Sequence, residues 1–227
     1  MPSTPNTLVI LVGPSLTGKS NLSALLVEQG FAVVVSTTTR AQREGEVDGK
    51  HYHFVSKEEF RARIAKKGFV EHVEVDSRME IGDGGKRVKI EGNFYGVGRE
   101  DVIKAFEAGK PVVAVCEPEG AKEVYAYALN EGWRPVRVFV NNKPELLVER
   151  FLERFENDKK ADRANYAVRL LKMVGFEREK WIEPALNGTD AYELVFPTFV
   201  HENQDEVLRD VLDHVGHPYK HRRAMGR

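Results

Sequence analysis

The stretch that most limits the fold is Val12–Ser20, VGPSLTGKS. Gly13, Gly18, Lys19 and Ser20 match G-x-x-x-x-G-K-[ST]. The apolar run TLVILVG precedes the motif, and KSNLSALLVEQG, with helical spacing and a terminal Gly30, follows it. A short apolar run ending in glycine reads as a buried parallel strand, so the motif is the turn of a strand–loop–helix unit. Its glycines let the backbone curl until several N–H groups converge on one anion. The helix N-terminus adds favourable potential for negative charge. Lys19 supplies a point charge for β- and γ-phosphates, and Ser20 a hydroxyl for Mg²⁺. Gly13, Pro14, Ser15, Leu16, Thr17, Gly18, Lys19 and Ser20 are therefore read as an ATP cradle, with Ser20 as metal ligand.

The remaining chain repeats the strand–helix alternation with one interruption. FAVVVST reads as a second buried strand. From Ser36 to about Gly98 the character turns polar and glycine-rich, which marks an inserted lobe. The alternation then resumes: REDVIKAFEAG, PVVAVCE, EGAKEVYAYALNEG, PVRVFVN and KPELLVERFLERF read as helix, strand, helix, strand and helix. ANYAVRLLKMVGFEREKWI reads as a long helix, YELVFPT as a last strand and NQDEVLRDVLDHV as a closing helix. The expected fold class is α/β, a P-loop kinase fold with about five parallel strands flanked by helices. It forms a single domain, with a core at 1–35 and 99–227, a mixed β/α lobe at 36–98 and a short lid at about 154–166. The tail GHPYKHRRAMGR is basic and expected to fray.

Composition excludes several classes. With 34 basic and 35 acidic residues, a net charge near −1 argues against a general nucleic-acid or membrane surface, though not against a local cationic pocket. Cys116 is the sole cysteine, so there is no internal disulfide and no cysteine-based zinc site. His51 and His53 alternate on one segment without a further ligand cluster. No apolar run reaches membrane-spanning length, and MPSTPNT carries no signal pattern, so a cytoplasmic location is expected.

What receives the phosphate must be read elsewhere. No N-K-x-D motif is present, nor a hydrophobic run ending in aspartate to hold Mg²⁺. After the second strand comes STTTRAQREGEVDGKHYHF, with Arg40 and Arg43 three apart and Tyr52 downstream. Two guanidinium groups and a phenol suit a dianionic phosphate held bidentately. On spacing alone they also read as two solvated loop arginines and a packed tyrosine.

Over most of its length the chain resembles guanylate kinases. GPSLTGKS is similar to their phosphate loop, and STTTR…R…GEVDGKHYHFVSKEEF to their monophosphate-binding lobe. FVEHVE, GNFYGVGREDVIKAFEAGKPVV and EGAKEV continue the match, while the C-terminal third matches only in pattern. The resemblance implies transfer of the ATP γ-phosphate to a nucleoside monophosphate. It implies that Arg40, Arg43, Tyr52 and Tyr95 bind the acceptor phosphate, and that Ser36 and Glu71 read the base. A carboxylate accepts two parallel hydrogen bonds from an amide N–H and an exocyclic amine, as guanine offers. Arg150 and Arg154, four apart on one helix face, correspond to an arginine pair that clamps nucleotide phosphates; they also read as surface charges paired with Glu149 or Glu153. Lys19, Arg40, Arg150 and Arg154 are the implied catalytic set. Arg163 and Arg169 are weaker candidates.

Three departures fall on the acceptor side. Val97 stands where guanylate kinases carry a small hydroxyl toward the base. Val115 and Glu117 stand where they carry two aspartates. VDSRMEIGDGGKRVKIEGN is longer than their connector and reads as a hairpin beside the base, spanning 76–92. The acceptor is thus GMP, dGMP or a modified nucleotide. A ribose 1,5-bisphosphokinase-like sugar-phosphate kinase and a non-catalytic guanylate-kinase-like binding module remain as alternatives. No stable nucleic-acid or membrane partner is expected, and the chain is a monomer or homodimer.

Overall fold

The computed structural model describes residues 6–75, 78–81, 87–157, 170–172 and 175–220. Strand β1 (Thr7–Val12) is buried along its whole length and forms the centre of the molecule. It pairs in parallel with β10 (Arg134–Val140) on one side and β9 (Val112–Val115) on the other. β11 (Leu194–Phe196) and β2 (Ala32–Val33) close the two edges, giving the parallel order β11-β10-β1-β9-β2. The expected count of five strands is observed.

Successive side chains of a strand point to opposite faces, and β1 shows the consequence. Val9 and Leu11 pack with Leu22, Leu25 and Leu26 of α1 (Lys19–Glu28) on one face. Leu8, Ile10 and Val12 pack with Val102 of α3 (Arg99–Glu107) and with Ala121, Val124 and Ala128 of α4 (Pro118–Asn130) on the other. A sheet covered on both faces explains why β1 reads as a continuous apolar run. FAVVVST instead keeps only two residues in β2, with Val33 exposed, because the strand lies at the sheet edge and the chain then turns away into the lobe.

The lobe has its own mixed sheet, ordered β4-β3-β8-β5: β3 (Thr37–Thr38), β4 (His53–Phe54), β5 (Phe69–Val75) and β8 (Asn93–Gly98). β3 and β4 run parallel; β8 is antiparallel to both β3 and β5. Helix α2 (Lys57–Ala65) is capped by Ser56, whose side chain accepts from the Glu59 amide. It places Phe60 against Phe69 and Phe94, a small aromatic core. Strands β6 (Arg78–Ile81) and β7 (Arg87–Ile90) pair antiparallel, as expected of a hairpin; its glycine-rich turn lies outside the described residues.

Helix α5 (Pro144–Asn157) follows β10 and opens with its proline, as expected. Most of the anticipated lid lies outside the described residues, as do Arg163 and Arg169. The long helix expected after it is interrupted where it is described: Arg178–Ile182 forms a π-helical turn that runs into α6 (Glu183–Leu186). Helix α7 (Gln204–Val215) ends at Gly216 in a left-handed conformation. Beyond it the tail does not fray at once. His217 is buried, its Nε2 lies 2.9 Å from the Gln29 carbonyl, and the Lys220 amide donates to Gln29 Oε1 at 2.6 Å.

Candidate active site

The loop between β1 and α1 is held from below by two residues distant in sequence. A Cβ at Gly13 (φ +143°) would lie 2.1 Å from the Val140 carbonyl, and one at Gly18 (φ +99°) would lie 2.6 Å from the Phe199 ring. Both positions therefore require glycine, for space and for backbone angle. Asn142, buried, donates from Nδ2 to the Thr17 and Phe199 carbonyls (3.0 and 2.7 Å) and accepts from the Phe199 amide at 3.1 Å. Thr17 Oγ1 donates to the Pro14 carbonyl. Lys19 Nζ donates to the Gly13 and Pro14 carbonyls, both at 2.6 Å. Burial lowers the Lys19 pKa, while the negative charge of Glu117 and Glu177 acts to raise it.

Arg40, Arg43, Tyr52 and Tyr95 lie near one another in the lobe. Arg40 forms a bidentate pair with Glu46, at 2.9 and 2.8 Å, and Glu46 also accepts from the Arg43 amide at 2.8 Å. The Arg40 guanidinium lies 5.5 Å from the Tyr52 ring centroid, and Tyr52 meets Tyr95 edge-on at 6.0 Å. Burial works against ionised Glu46, but hydrogen bonds from Arg40 and the Arg43 backbone prevail and hold its pKa below the usual range. Burial and the like charges of Arg154 and Arg40 lower the Arg43 pKa, so helix α5 and the lobe bring positive charge to one place. Arg150 Nη1, from the same helix, donates to the Leu16 carbonyl at 2.9 Å.

Glu71 lies deepest. It is directly opposite Val97 in the β5–β8 pair, so the two side chains share a face. Val97 is 1% exposed and belongs to the core cluster with Leu8, Ile10 and Cys116. Burial, with the charges of Glu123 and Glu117, raises the Glu71 pKa to about 7. Glu117 precedes the first residue of α4, and its charge acts on Lys19, Tyr52 and Glu71 alike, which places it between the β1–α1 loop and the lobe. Val115, by contrast, packs into the core. The Ser36 carbonyl accepts from the His53 amide, fixing the start of β3 beside β4. The hairpin joins β5 and β8 at Val75 and Asn93. Val75 is four positions along β5 from Glu71, and Asn93 four along β8 from Val97, about 13 Å at a strand's rise. Among the described residues no group of three or more His, Cys, Asp or Glu could hold a metal, which leaves His51 and His53 without the ligands a site needs.

A strand–loop–helix cradle facing an inserted lobe is paired with a sequence match across both. The family model for guanylate kinase covers residues 5–177. The chain belongs to the guanylate kinase family. It is 32% identical to the guanylate kinase of Clostridium perfringens (strain SM101) over 175 residues, 71% of this chain and 74% of the relative. Against the guanylate kinase of Synechococcus elongatus the identity is 40% over 119 residues, 52% of this chain and 57% of the relative. The crystal structure of guanylate kinase from Anaplasma phagocytophilum superimposes with a TM-score of 0.60 at 25% identity, covering 92% of this chain and 84% of that one. As a guanylate kinase family member, the chain is a nucleotide-binding phosphotransferase with the P-loop fold.

Sequence reasoning missed four supporting residues of this guanylate kinase family site. Glu46 lies inside the segment STTTRAQREGEVDGKHYHF, one of three acids there with Glu44 and Asp48, so the sequence did not single it out as the partner of Arg40. Asn142 and Gly120 act over long sequence separations and left no local signal. Arg63 bridges lobe and core, donating to Thr37 Oγ1 at 2.8 Å and Asp101 Oδ2 at 3.3 Å.

The cradle fits a nucleotide triphosphate: its glycines have no room for side chains, its lysine is desolvated among backbone groups, and its helix starts at Lys19. Ser20, exposed at that helix start, offers a hydroxyl oxygen of the kind a hard cation such as Mg²⁺ takes.

Proposed function

We propose that this chain transfers the γ-phosphoryl group of ATP to the phosphate of a purine nucleoside monophosphate, GMP or dGMP or a close relative, giving the diphosphate and ADP. The observation that carries the reading is that Arg40 and Tyr52, on loops, meet Tyr95 at the lobe sheet whose neighbouring strand bears Glu71. The lobe would thereby offer a phosphate site and a base-reading carboxylate. Glu46 holds Arg40 by both guanidinium nitrogens, which fixes the direction of its remaining donors.

Phosphoryl transfer asks little covalent chemistry of the protein; positioning and charge neutralisation suffice. Lys19 and the loop amides hold the donor phosphates. Arg43 and Arg154 bring positive charge between donor and acceptor, and Arg150 sits on the loop itself. Mg²⁺, held by Ser20 with Glu117 nearby, would neutralise phosphate charge.

Val97 supports the finer reading of a base other than plain guanine. The Val97 side chain opposite Glu71 offers methyl groups and no hydrogen-bond donor, leaving only its backbone to hydrogen-bond the carboxylate, and loss of one buried hydrogen bond shifts discrimination by about 1–3 kcal/mol. A base-free sugar phosphate would leave Glu71 without a partner. The test is transfer from labelled ATP to GMP, dGMP, AMP, base-modified guanylates and ribose 1,5-bisphosphate. A modified or deoxy purine monophosphate is expected to give the highest kcat/KM. GMP preferred at every comparison removes the finer reading, and ribose 1,5-bisphosphate preferred removes the whole of it.

A further inference from the structure

Two non-glycine residues among those described have a left-handed backbone, Leu16 and Lys67. Lys67 lies in the turn after α2, an ordinary surface setting. Leu16 lies at the apex of the phosphate loop with φ +67°, where a branched side chain is disfavoured. Its surroundings explain why the conformation is kept. The Leu16 side chain packs against Leu147 and Phe151, both buried on α5, and the cluster includes Val148, Phe155 and Leu170. The Leu16 carbonyl accepts from Arg150 Nη1 on the same helix. One residue thus grips α5 twice, by its side chain and by its backbone. The start of α5 is tied to the loop separately, since Asn142, two residues before the helix, donates to the Thr17 carbonyl.

We propose that Leu16 is a positioning residue, an apolar knob that fixes α5 to the tip of the phosphate loop and so sets where Arg150 and Arg154 stand. Arg150 is one turn beyond Leu147 and Arg154 one turn beyond Arg150, on the stretch of helix that the knob contacts. Misplacing a charged group by about 1 Å costs up to about a hundredfold in rate, so a knob of this kind governs turnover. The inference rests on the phosphotransferase reading for its kinetic part and on packing alone for its structural part.

The test compares Leu16→Gly, Leu16→Ala and Leu16→Met in the full chain. Glycine accepts φ +67° without strain, so Leu16→Gly keeps the loop's shape and removes only the knob. The expected result is a fall in kcat of about ten- to a hundredfold with a much smaller rise in KM for ATP. Amides of residues 147–154 should exchange with solvent deuterium faster, and Leu16→Met should recover most of the kcat. A knob that merely shaped the loop would raise KM for ATP and leave kcat and α5 exchange as they were; either unchanged quantity in Leu16→Gly overturns the proposal. Absence of transfer by the wild-type chain would count against the proposed function alone, because deuterium exchange in α5 still decides whether Leu16 anchors it.

Discussion

The carboxylate of Glu71 fills the space that a side chain on Gly120 would need: a Cβ there would lie 2.3 Å from Glu71 Oε2. A lobe strand and a core helix thus meet at one glycine, and Glu71, the carboxylate we propose reads the base, is seated by contact with the first turn of α4. An alanine in a helix ordinarily adds about 1 kcal/mol of stability over glycine. Gly120→Ala should do the reverse here, displacing Glu71. We expect acceptor KM to rise about tenfold or more while KM for ATP stays within about twofold, since the clash is on the acceptor side. Steady-state kinetics in each substrate check this.

Titration of Glu71 gives a second prediction. Its folded pKa of about 7 lies above the ordinary value of 4.5, so the folded protein holds an extra proton between those limits. Stability from this group is therefore complete below pH 4.5 and is lost as pH rises through 7. The full loss is about 3 kcal/mol. Glu71→Gln should flatten that slope and raise Tm at pH 8. Guanine presents donors and favours the ionised carboxylate, so acceptor KM in the wild type should fall about tenfold from pH 6 to pH 8. Thermal melts and kinetics across that range test both signs.

Glu46 orients Arg40, the arginine proposed to meet the acceptor phosphate. Glu46→Gln keeps its size and loses the charge that binds Arg40 and the Arg43 amide. Acceptor KM should rise about five- to twentyfold, the loss of a charge-assisted pair, with little change in melting temperature. An unchanged KM would show that Arg40 finds its place unaided.

Asn142 carries the floor of the phosphate loop. Asn142→Ala leaves the Thr17 and Phe199 carbonyls and the Phe199 amide buried without this partner. The expected cost is about 3 kcal/mol, or a Tm lower by about 5–10 °C, together with weaker ATP binding. Calorimetry measures both.

What the sequence made legible follows from how local each feature is. The phosphate loop is a contiguous motif whose glycines need positive φ and whose helix begins within it, so Gly13, Gly18, Lys19 and Ser20 could be placed from spacing. The lobe residues Arg40, Tyr52, Glu71 and Tyr95 were assigned by resemblance; Glu71 and Tyr95 lie on strands of the lobe sheet, and Arg40 and Tyr52 on the loops beside it. The buried strand expected at FAVVVST shortened to Ala32–Val33, because apolar content does not reveal which strand lies at a sheet edge. The hairpin was recognised, and its root falls four positions along β5 from Glu71, a placement that sequence length does not reveal. Docking of His217 and Lys220 onto Gln29 was hidden for a similar reason: it depends on where α7 finishes against α1.

The central claim is that two separate phosphate sites, one at Lys19 and one at Arg40, serve a single transfer. The most direct measurement is single-turnover movement of the labelled γ-phosphate of ATP onto a purine nucleoside monophosphate in the wild type, Lys19→Ala and Arg40→Ala. The account predicts label in the diphosphate for the wild type and its loss in both variants, with Arg40→Ala still binding ATP and Lys19→Ala still binding the monophosphate. Transfer that persists without Lys19, or a monophosphate that binds equally well without Arg40, would contradict it.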